Sequence, residues 1–240
     1  MGIRIKIVQS LIHLNERFRF YPKLRSFYEK NLLVSNPVIL DVGMNKGQSI
    51  EFFRSVAKTA VIHGFEPNPS LFKILNIKYG KDSDIKLNNL GVSKEKGTLT
   101  FYENVMDETS SFEPLNFDSP YLETKAKVLG VEPSKIIKDQ YPVAVVRLAD
   151  YIEEQELKKI DLIKIDTEGH EMACLEGLFA KPVACYIEFI QLEQHNDDMY
   201  KKRVQSTAIE ELLELNGYKE ACRIKHGFGD FYEIVYRNTN

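Results

Sequence analysis

A group of ionisable side chains follows one apolar segment of the chain, residues 161–166. Asp166 ends this segment, and Glu168 and His170 come directly after it, where sheets of parallel strands bind their ligands. Removing a proton from a hydroxyl requires a base within hydrogen-bond reach, and an imidazole titrates close enough to neutrality for this role. We therefore predict His170 and Asp166 as catalytic residues. Glu168 and Glu188 rank next.

The same residues have structural alternatives. Thr167 or Glu168 would cap the helix that follows, and Lys164 and Asp166 would form a buried ion pair at the end of the strand. Asp166, Glu168 and His170 together would also suit a divalent metal. Nothing in the sequence demands an ion, so we predict a site without metal.

A glycine-containing loop, residues 41–49, follows an apolar run near the start of the predicted sheet. Gly43 and Gly47 allow a sharp turn and a close approach of a ligand to the main chain. Glu66 lies 25 positions after Asp41, at the end of the next predicted strand, where a carboxylate can accept both hydroxyls of a ribose. Together these features indicate an adenosine-containing cofactor. The alternative is an ordinary turn in which Asp41 caps the helix.

The kind of cofactor follows from what the loop lacks. A dinucleotide site uses G-x-G-x-x-G, and here Asn45 replaces the middle glycine; no Gly-Lys-Ser/Thr follows that would hold a nucleoside triphosphate. S-adenosyl-L-methionine has no phosphate and carries a sulfonium cation, so a loop opened by Asp41 fits it better. An NAD-dependent oxidoreductase on a similar sheet is the alternative.

Apolar runs alternate with helical spacing over residues 37–240, which predicts βα units and a mostly parallel sheet covered on both faces. The predicted strands cover residues 38–42, 61–65, 85–90, 98–102, 161–166, 183–189, 218–224 and 231–236. The predicted helices cover residues 50–56, 70–79, 171–179 and 207–215. The last two strands are short-linked around residues 226–230, which favours an antiparallel pair.

Two segments do not follow this alternation. Residues 103–145 are polar and contain four prolines, and we predict a long irregular insertion with one helix near 120–129. Thr109-Ser110-Ser111 in this insertion could close over an acceptor. The polar segment 193–198 could form one wall of an acceptor pocket, but a solvated loop is the favoured interpretation.

The first thirty residues form a basic segment with seven basic and two acidic side chains. Ile3, Ile7, Leu11, Leu14 and Phe18 recur at helical spacing and predict one apolar face. Packing of this face on the domain or on a second copy is favoured, and contact with an anionic membrane surface is the alternative. Tyr21-Pro22 is expected to end the helix or to begin a linker.

Composition limits the class of protein. The chain has 240 residues, of which 43% are hydrophobic and 28% charged, with a net charge of -3. These values predict a soluble globular protein with no membrane span, and a chain without basic excess is not expected to bind nucleic acid generally. Three widely spaced cysteines predict free thiols in a reducing, cytoplasmic setting.

Four motifs resemble the FkbM-type S-adenosylmethionine-dependent methyltransferases over roughly residues 37–190. They are Asp41-Val-Gly-Met-Asn-Lys-Gly-Gln-Ser, Glu66-Pro-Asn-Pro, Asn89-Leu-Gly-Val-Ser and Asp161-Leu-Ile-Lys-Ile-Asp-Thr-Glu-Gly-His-Glu. The last is the most specific. Met44 and Lys46 depart from the smaller or more apolar residues that are commoner in the first motif.

The resemblance implies an α/β, Rossmann-like class I methyltransferase fold: seven mostly parallel strands that end in an antiparallel hairpin. It implies a cofactor site in which the methionine part borders the first loop, Glu66 binds the ribose and the third motif lies beside the adenine. The implied cofactor-binding residues are Asp41, Gly43, Asn45, Gly47, Glu66, Asn89, Gly91 and Val92.

The resemblance also implies O-methylation, frequently of sugars or of secondary-metabolite hydroxyls. We therefore expect a methyltransferase domain at residues 37–240 and a helical appendage at residues 1–36. The partner would be a saccharide or small-molecule acceptor, and the appendage could contact a membrane or a second copy of the chain. A cofactor-binding domain without catalysis is a further alternative.

Overall fold

The computed structural model describes residues 3–32, 34–195, 197–201, 206–226 and 231–240. Ten strands occur in these ranges: β1 (Val38–Val42), β2 (Val61–Phe65), β3 (Ile85–Asn88), β4 (Gly91–Val92), β5 (Gly97–Asn104), β6 (Ile137–Val146), β7 (Lys159–Ile165), β8 (Tyr186–His195), β9 (Tyr218–Lys225) and β10 (Phe231–Asn238). The described helices are α1 (Ile3–Asn15), α2 (Tyr21–Asn31), α3 (Gln48–Val56), α4 (Pro69–Tyr79), α5 (Pro120–Leu129), α6 (Leu148–Glu154), α7 (Glu171–Phe179) and α8 (Ser206–Leu215).

Seven strands form the main sheet in the order β3-β2-β1-β7-β8-β10-β9. The first five run parallel, whereas β10 is antiparallel to both β8 and β9. The predicted class I methyltransferase arrangement and its antiparallel hairpin are therefore confirmed. The turn of that hairpin, residues 227–230, lies outside the described residues.

Helices cover both faces of the sheet because successive residues of the central strands point in opposite directions. Leu40 of β1 and Ile163 of β7 belong to one buried cluster, which α6, α7 and α8 complete. Ile39 and Leu162, their neighbours along the chain, belong to the other, which α2, α3 and α4 complete. With both faces buried, the carboxyl edge of the parallel strands is where polar residues can face a cavity.

The N-terminal segment differs from its prediction. It stays helical across Tyr21-Pro22, with a π-helical stretch at Glu16–Phe20 between α1 and α2. Pro22 occupies the first turn of α2, where its missing N–H leaves no intrahelical bond unmade, so the proline starts a helix here. Leu24 and Tyr28 are buried in the core of the sheet domain.

The apolar face predicted for α1 is largely exposed. Ile7, Leu11 and Leu14 are each 54% exposed, and Phe18 is 68% exposed. The favoured packing of this face on the domain is therefore wrong for these four side chains; that of Ile3 is not described. Ile5, two residues from both Ile3 and Ile7 and so on the opposite side of the helix, is buried instead. Membrane and dimer contacts stay predictions.

The insertion is more ordered than its sequence suggests. The predicted helix is confirmed as α5, and residues 137–146 form β6, which pairs with β5 in a second sheet of order β4-β6-β5. The strand predicted at 98–102 thus belongs to this smaller sheet. Helix α6 was not predicted.

Two further expectations concern the cysteines and membrane-spanning helices. Cys174, Cys185 and Cys222 are free thiols, of which Cys174 is buried. Within the described ranges, no helix has both the length and the apolar character needed to cross a bilayer.

Stability should depend on pH through His63, which is buried in β2 with Nδ1 2.9 Å from the Tyr151 hydroxyl. Burial, aided by the charge of Lys86, lowers the pKa of His63 from 6.5 to about 4. Between these values the unfolded chain binds a proton that the folded chain does not, so the free energy of unfolding should fall by about 2 kcal/mol as the pH drops to about 4. Urea unfolding at a series of pH values measures this effect: the free energy of unfolding should change less with pH in His63→Gln than in the wild type. Parallel pH profiles for the two proteins would contradict the assignment.

Candidate active site

One cavity of about 560 Å³ opens at the carboxyl ends of the parallel strands. Its walls come from the loops after β1, β2 and β7, from the end of β8, from the segment 106–112 of the insertion and from the N-terminal helical segment. This is the expected position for a ligand in a sheet of this topology.

The loop after β1 brings its backbone against the loop after β7. Gly43 has φ 88°, and a Cβ placed on it would lie 1.9 Å from the carbonyl oxygen of Asp166. The amides of Gly43 and Met44 both donate to the Phe65 carbonyl, at 3.0 and 3.2 Å. Only glycine fits at position 43, and it allows the backbone of the loop to pack directly against the ends of β2 and β7.

Glu66 stands at the end of β2 on the same side of the cavity. Its Oε2 accepts a hydrogen bond from the Asn45 amide and its Oε1 one from the Asn68 amide, both at 2.8 Å. Burial raises the pKa of Glu66 to about 8, although the two backbone amides act against this shift. The amides fix the direction of the carboxyl group, and each oxygen retains a lone pair for a further donor.

Asp41 is fully buried behind the loop and does not line the cavity. Its Oδ2 accepts a hydrogen bond from the Ser49 hydroxyl, while Oδ1 has no hydrogen-bond partner and lies 3.9 Å from Lys164 Nζ. Burial raises the pKa of Asp41, with Lys164 opposing. Asp41 thus places a carboxyl group beneath the glycine loop.

The predicted cofactor residues fall into two groups. Those that line the cavity are Gly43, Asn45, Glu66, Gly91 and Val92. Asp41, Gly47 and Asn89 lie behind them. Asn89 Nδ2 donates to the Glu66 carbonyl at 2.8 Å, and a Cβ on Gly47 would lie 2.7 Å from the ring of Tyr79.

These features fit S-adenosyl-L-methionine on structural grounds. The backbone at Gly43 leaves room that a side chain would fill, Glu66 offers a fixed acid for two hydroxyls, and Asp41 has a buried oxygen without a hydrogen-bond partner. An acid for a ribose and a carboxyl group beneath a loop with no phosphate-binding pattern match a sulfonium nucleoside better than a diphosphate.

The acidic residues after β7 occupy the other end of the cavity. Asp166 and Glu168 both line it. Asp166 Oδ2 accepts a hydrogen bond from Lys164 Nζ at 2.9 Å; burial opposes ionisation of this carboxyl, but its neighbours, Lys164 before His195, together lower the pKa of Asp166. Glu168 has φ 56°, an uncommon conformation for a residue with a side chain, and its Oε2 accepts from the Tyr200 hydroxyl at 2.8 Å.

His170 does not reach the cavity. It is buried at the start of α7, with Nδ1 2.8 Å from Glu113 Oε1 and Nε2 2.9 Å from the Ser93 hydroxyl. Both ring nitrogens are therefore engaged within the protein, which connects α7 to the insertion and to the residue after β4. The structure does not bring His170 together with Asp166 and Glu168 as a cavity residue.

Sequence comparison identifies the family to which this domain belongs. Residues 41–220 match the family described as the Methyltransferase FkbM domain. The chain belongs to the FkbM methyltransferase family. This membership supports a methyltransferase over the NAD-dependent oxidoreductase.

Several curated relatives of this FkbM domain are methyltransferases by name. The 2-O-methyltransferase NoeI of Sinorhizobium fredii is 26% identical over 88% of this chain and 86% of its own length. Methyltransferase sdnD of Sordaria araneosa is 30% identical over 63% of this chain and 64% of its own length. The 31-O-demethyl-FK506 methyltransferase FkbM of Streptomyces tacrolimicus is 29% identical, over 59% of each chain.

Solved structures support the fold of the FkbM domain. Magnesium protoporphyrin IX methyltransferase of Synechocystis PCC 6803, solved with bound SAM, superposes with a TM-score of 0.56 at 10% identity and covers 100% of this chain and 86% of its own. The methyltransferase domain of METTL16 gives a TM-score of 0.51 at 8% identity, with 92% of this chain and 67% of its own covered.

Strand β8 contributes more residues to the cavity of the FkbM domain than the sequence predicted. Residues 193–195 belong to the strand, because β10 pairs with them, and the favoured solvated loop is wrong there. Gln191, Glu193 and His195 line the cavity, whereas Leu192 and Gln194 do not. This alternation with period two was the available signal.

The insertion and the N-terminal segment complete the cavity of the FkbM domain. Lys46 Nζ in the glycine loop lies 2.6 Å from Asp107 Oδ2, and the Ser111 hydroxyl donates to the Thr167 carbonyl at 3.2 Å. Glu16 of the π-helical stretch also lines the cavity, and burial raises its pKa to about 7. Residues predicted to lie in an appendage are thus part of the site.

Proposed function

We propose that this protein transfers a methyl group from S-adenosyl-L-methionine to a hydroxyl of a saccharide or another small molecule. The arrangement of one cavity carries the proposal: the fixed acid Glu66 lies at one end and the acidic residues Asp166 and Glu168 at the other. The names of two relatives, a 2-O-methyltransferase and a 31-O-demethyl-FK506 methyltransferase, favour oxygen as the methylated atom.

In this proposal the cofactor lies across the ends of β1 and β2. Gly43 and Asn45, which line the cavity, would border its methionine part, Glu66 would accept the ribose hydroxyls, and Gly91 and Val92 would border the adenine. These positions follow the order of the motifs along the carboxyl edge of the sheet.

The three other residues of the motifs support this surface from behind. Asp41 binds Ser49 at the start of α3, Gly47 leaves space for Tyr79, and Asn89 holds the backbone after Glu66. Their substitution should change the position of the loops before it changes a direct contact with the cofactor.

The chemistry is an in-line displacement at carbon, for which the bound cofactor supplies a methyl group on a positively charged sulfur. The backbone of Asp166 lies against the Gly43 loop and the residue lines the cavity, so we assign its carboxyl group to orient the acceptor hydroxyl and to take its proton. As the new C–O bond forms, the electrons of the C–S bond stay on sulfur. Glu168 binds the acceptor further from the loop, and His170 is a positioning residue for the segment between them.

Apolar side chains also line this cavity, which suits an acceptor with apolar surface next to its hydroxyl. They include Met106 of the insertion and Leu11 and Phe20 of the N-terminal segment. We expect no nucleic acid in this site, in keeping with the net charge of -3.

Asp166→Asn should reduce methyl transfer by at least about 100-fold while the affinity for S-adenosylhomocysteine changes little. Transfer is measured by mass spectrometry on a panel of methyl glycosides and of aliphatic and phenolic alcohols. Glu188→Gln, which removes a carboxylate at the other end of the sheet, is the control and should retain full turnover. Full turnover of Asp166→Asn would contradict the proposal.

A further inference from the structure

Three side chains on the acceptor side of the cavity present metal-binding atoms to one another. Glu168, Glu193 and His195 each offer one such atom, and all three atoms lie within 4.8 Å of one another. His195 Nε2 is 2.9 Å from Glu193 Oε2 and 3.6 Å from Glu168 Oε2. Two carboxylates and an imidazole, from strand β8 and from the loop after β7, suit a divalent first-row metal.

Residues outside this set hold two of the donors in place. Asp197 Oδ2 lies 3.4 Å from His195 Nδ1, so the other ring nitrogen, Nε2, faces the glutamates. The Tyr200 hydroxyl fixes Glu168 Oε2. A carboxylate behind the ligating imidazole and a hydroxyl behind the ligating carboxylate are the usual supports of a metal ligand set.

Several carboxyl groups line the same wall of the cavity. Asp166, Glu168 and Glu193 all face it, and Glu193 is buried. Carboxylates that lie close together at a buried site are costly unless a proton or a cation lies among them. The described charged groups that line the cavity near this wall are the carboxyl groups of Glu16, Asp166, Glu168, Glu193, Asp197 and Glu233 and the cationic side chains of Lys125, Lys164, His195 and His226.

We propose that Glu168, Glu193 and His195 bind one divalent metal ion of the Mn²⁺ class beside Asp166. This ligand set differs from the set Asp166, Glu168 and His170 considered from the sequence, from which no metal was predicted. An acceptor hydroxyl that reaches the ion would lose its proton more readily, which deepens the role proposed for this end of the cavity. The role in catalysis rests on the proposed function, whereas the binding site does not.

A neighbouring set of donors is the competing location. Glu193, His226 and Glu233 also bring their atoms within 4.8 Å of one another. Gln191 already donates to Glu233, and Phe20 stacks on the ring of His226 with centroids 4.3 Å apart. Glu233 and His226 are therefore occupied by protein contacts, so we assign the ion to the first set.

Mn²⁺ titration of the chelator-treated protein, followed by the electron paramagnetic resonance signal of free Mn²⁺, tests the site without an acceptor. The wild-type protein should bind one ion, and Glu193→Gln and His195→Ala should each weaken this binding by at least about tenfold. Glu188→Gln, on the same strand and paired with Arg237, should bind as the wild type does. Calorimetry with S-adenosylhomocysteine reports whether each variant is folded, and Glu168→Gln replaces any that is not.

Three results would overturn the assignment: a wild-type protein that leaves the free Mn²⁺ signal unchanged, unaltered binding in both Glu193→Gln and His195→Ala, or binding lost in His226→Ala but kept in His195→Ala. Any of these with normal S-adenosylhomocysteine binding removes the metal site and leaves the methyltransferase proposal. Failure of S-adenosylhomocysteine to bind the wild type would instead remove the proposed function.

Discussion

Glu66→Ala is expected to weaken the binding of S-adenosyl-L-methionine by about 100-fold. The carboxyl group would accept two ribose hydroxyls in a buried setting, and hydrogen bonds to a charged group contribute about 1.5–3 kcal/mol each, so the loss of both corresponds to at least two orders of magnitude. Isothermal titration calorimetry with the cofactor and with S-adenosylhomocysteine measures the effect.

Glu66→Gln is the matched control because it keeps the shape and one acceptor oxygen, so its loss of affinity should be smaller. The pKa of Glu66, about 8, gives a second test. The ribose would be bound by the ionised carboxylate, so the affinity of the wild type for the cofactor should rise as the pH increases towards about 8. Glu66→Gln should lack this rise. A Glu66→Ala variant with unchanged affinity would remove the cofactor placement.

Tyr28→Ala is expected to lower the free energy of unfolding by about 3–5 kcal/mol, the range for removing a large buried aromatic side chain. Tyr28 is fully buried between the sheet and α3, and its hydroxyl donates to the side chain of Gln191. Tyr28→Phe should lose about 1–3 kcal/mol, because it leaves the buried Gln191 oxygen without its donor. Denaturant unfolding measures both.

Phe18→Ser provides the comparison within the same helical segment. Phe18 is 68% exposed, so its replacement should change stability by no more than about 0.5 kcal/mol. If Tyr28→Ala were as mild as Phe18→Ser, residues 1–36 would be a separable appendage, as first expected. A large difference would make α2 part of the methyltransferase core.

The N-terminal segment shows why a helical pattern alone does not place a helix. Ile7, Leu11, Leu14 and Phe18 have the correct spacing for a buried face, yet they are exposed while Leu24 and Tyr28 are buried. The spacing of apolar residues predicts which face of a helix is apolar, but not what packs against that face. The π-helical turn at Glu16–Phe20 also rotates the apolar face of α2 relative to that of α1.

The sequence by itself determined the position of the glycine loop, the acid at the end of β2 and the parallel direction of the first strands. Strands β1 and β2 begin and end where predicted, because short apolar runs between turn residues depend on local chemistry. The same holds for α7, whose predicted bounds are those observed.

Only the tertiary structure decided which histidine faces the cavity. His170 stands in the most specific motif but is held by Glu113 and Ser93, which are distant in sequence, while His195 reaches the cavity because β10 extends β8 by pairing with residues 193–195. Contacts between distant segments set the directions of these side chains, and spacing along a single segment carries no information about such partners.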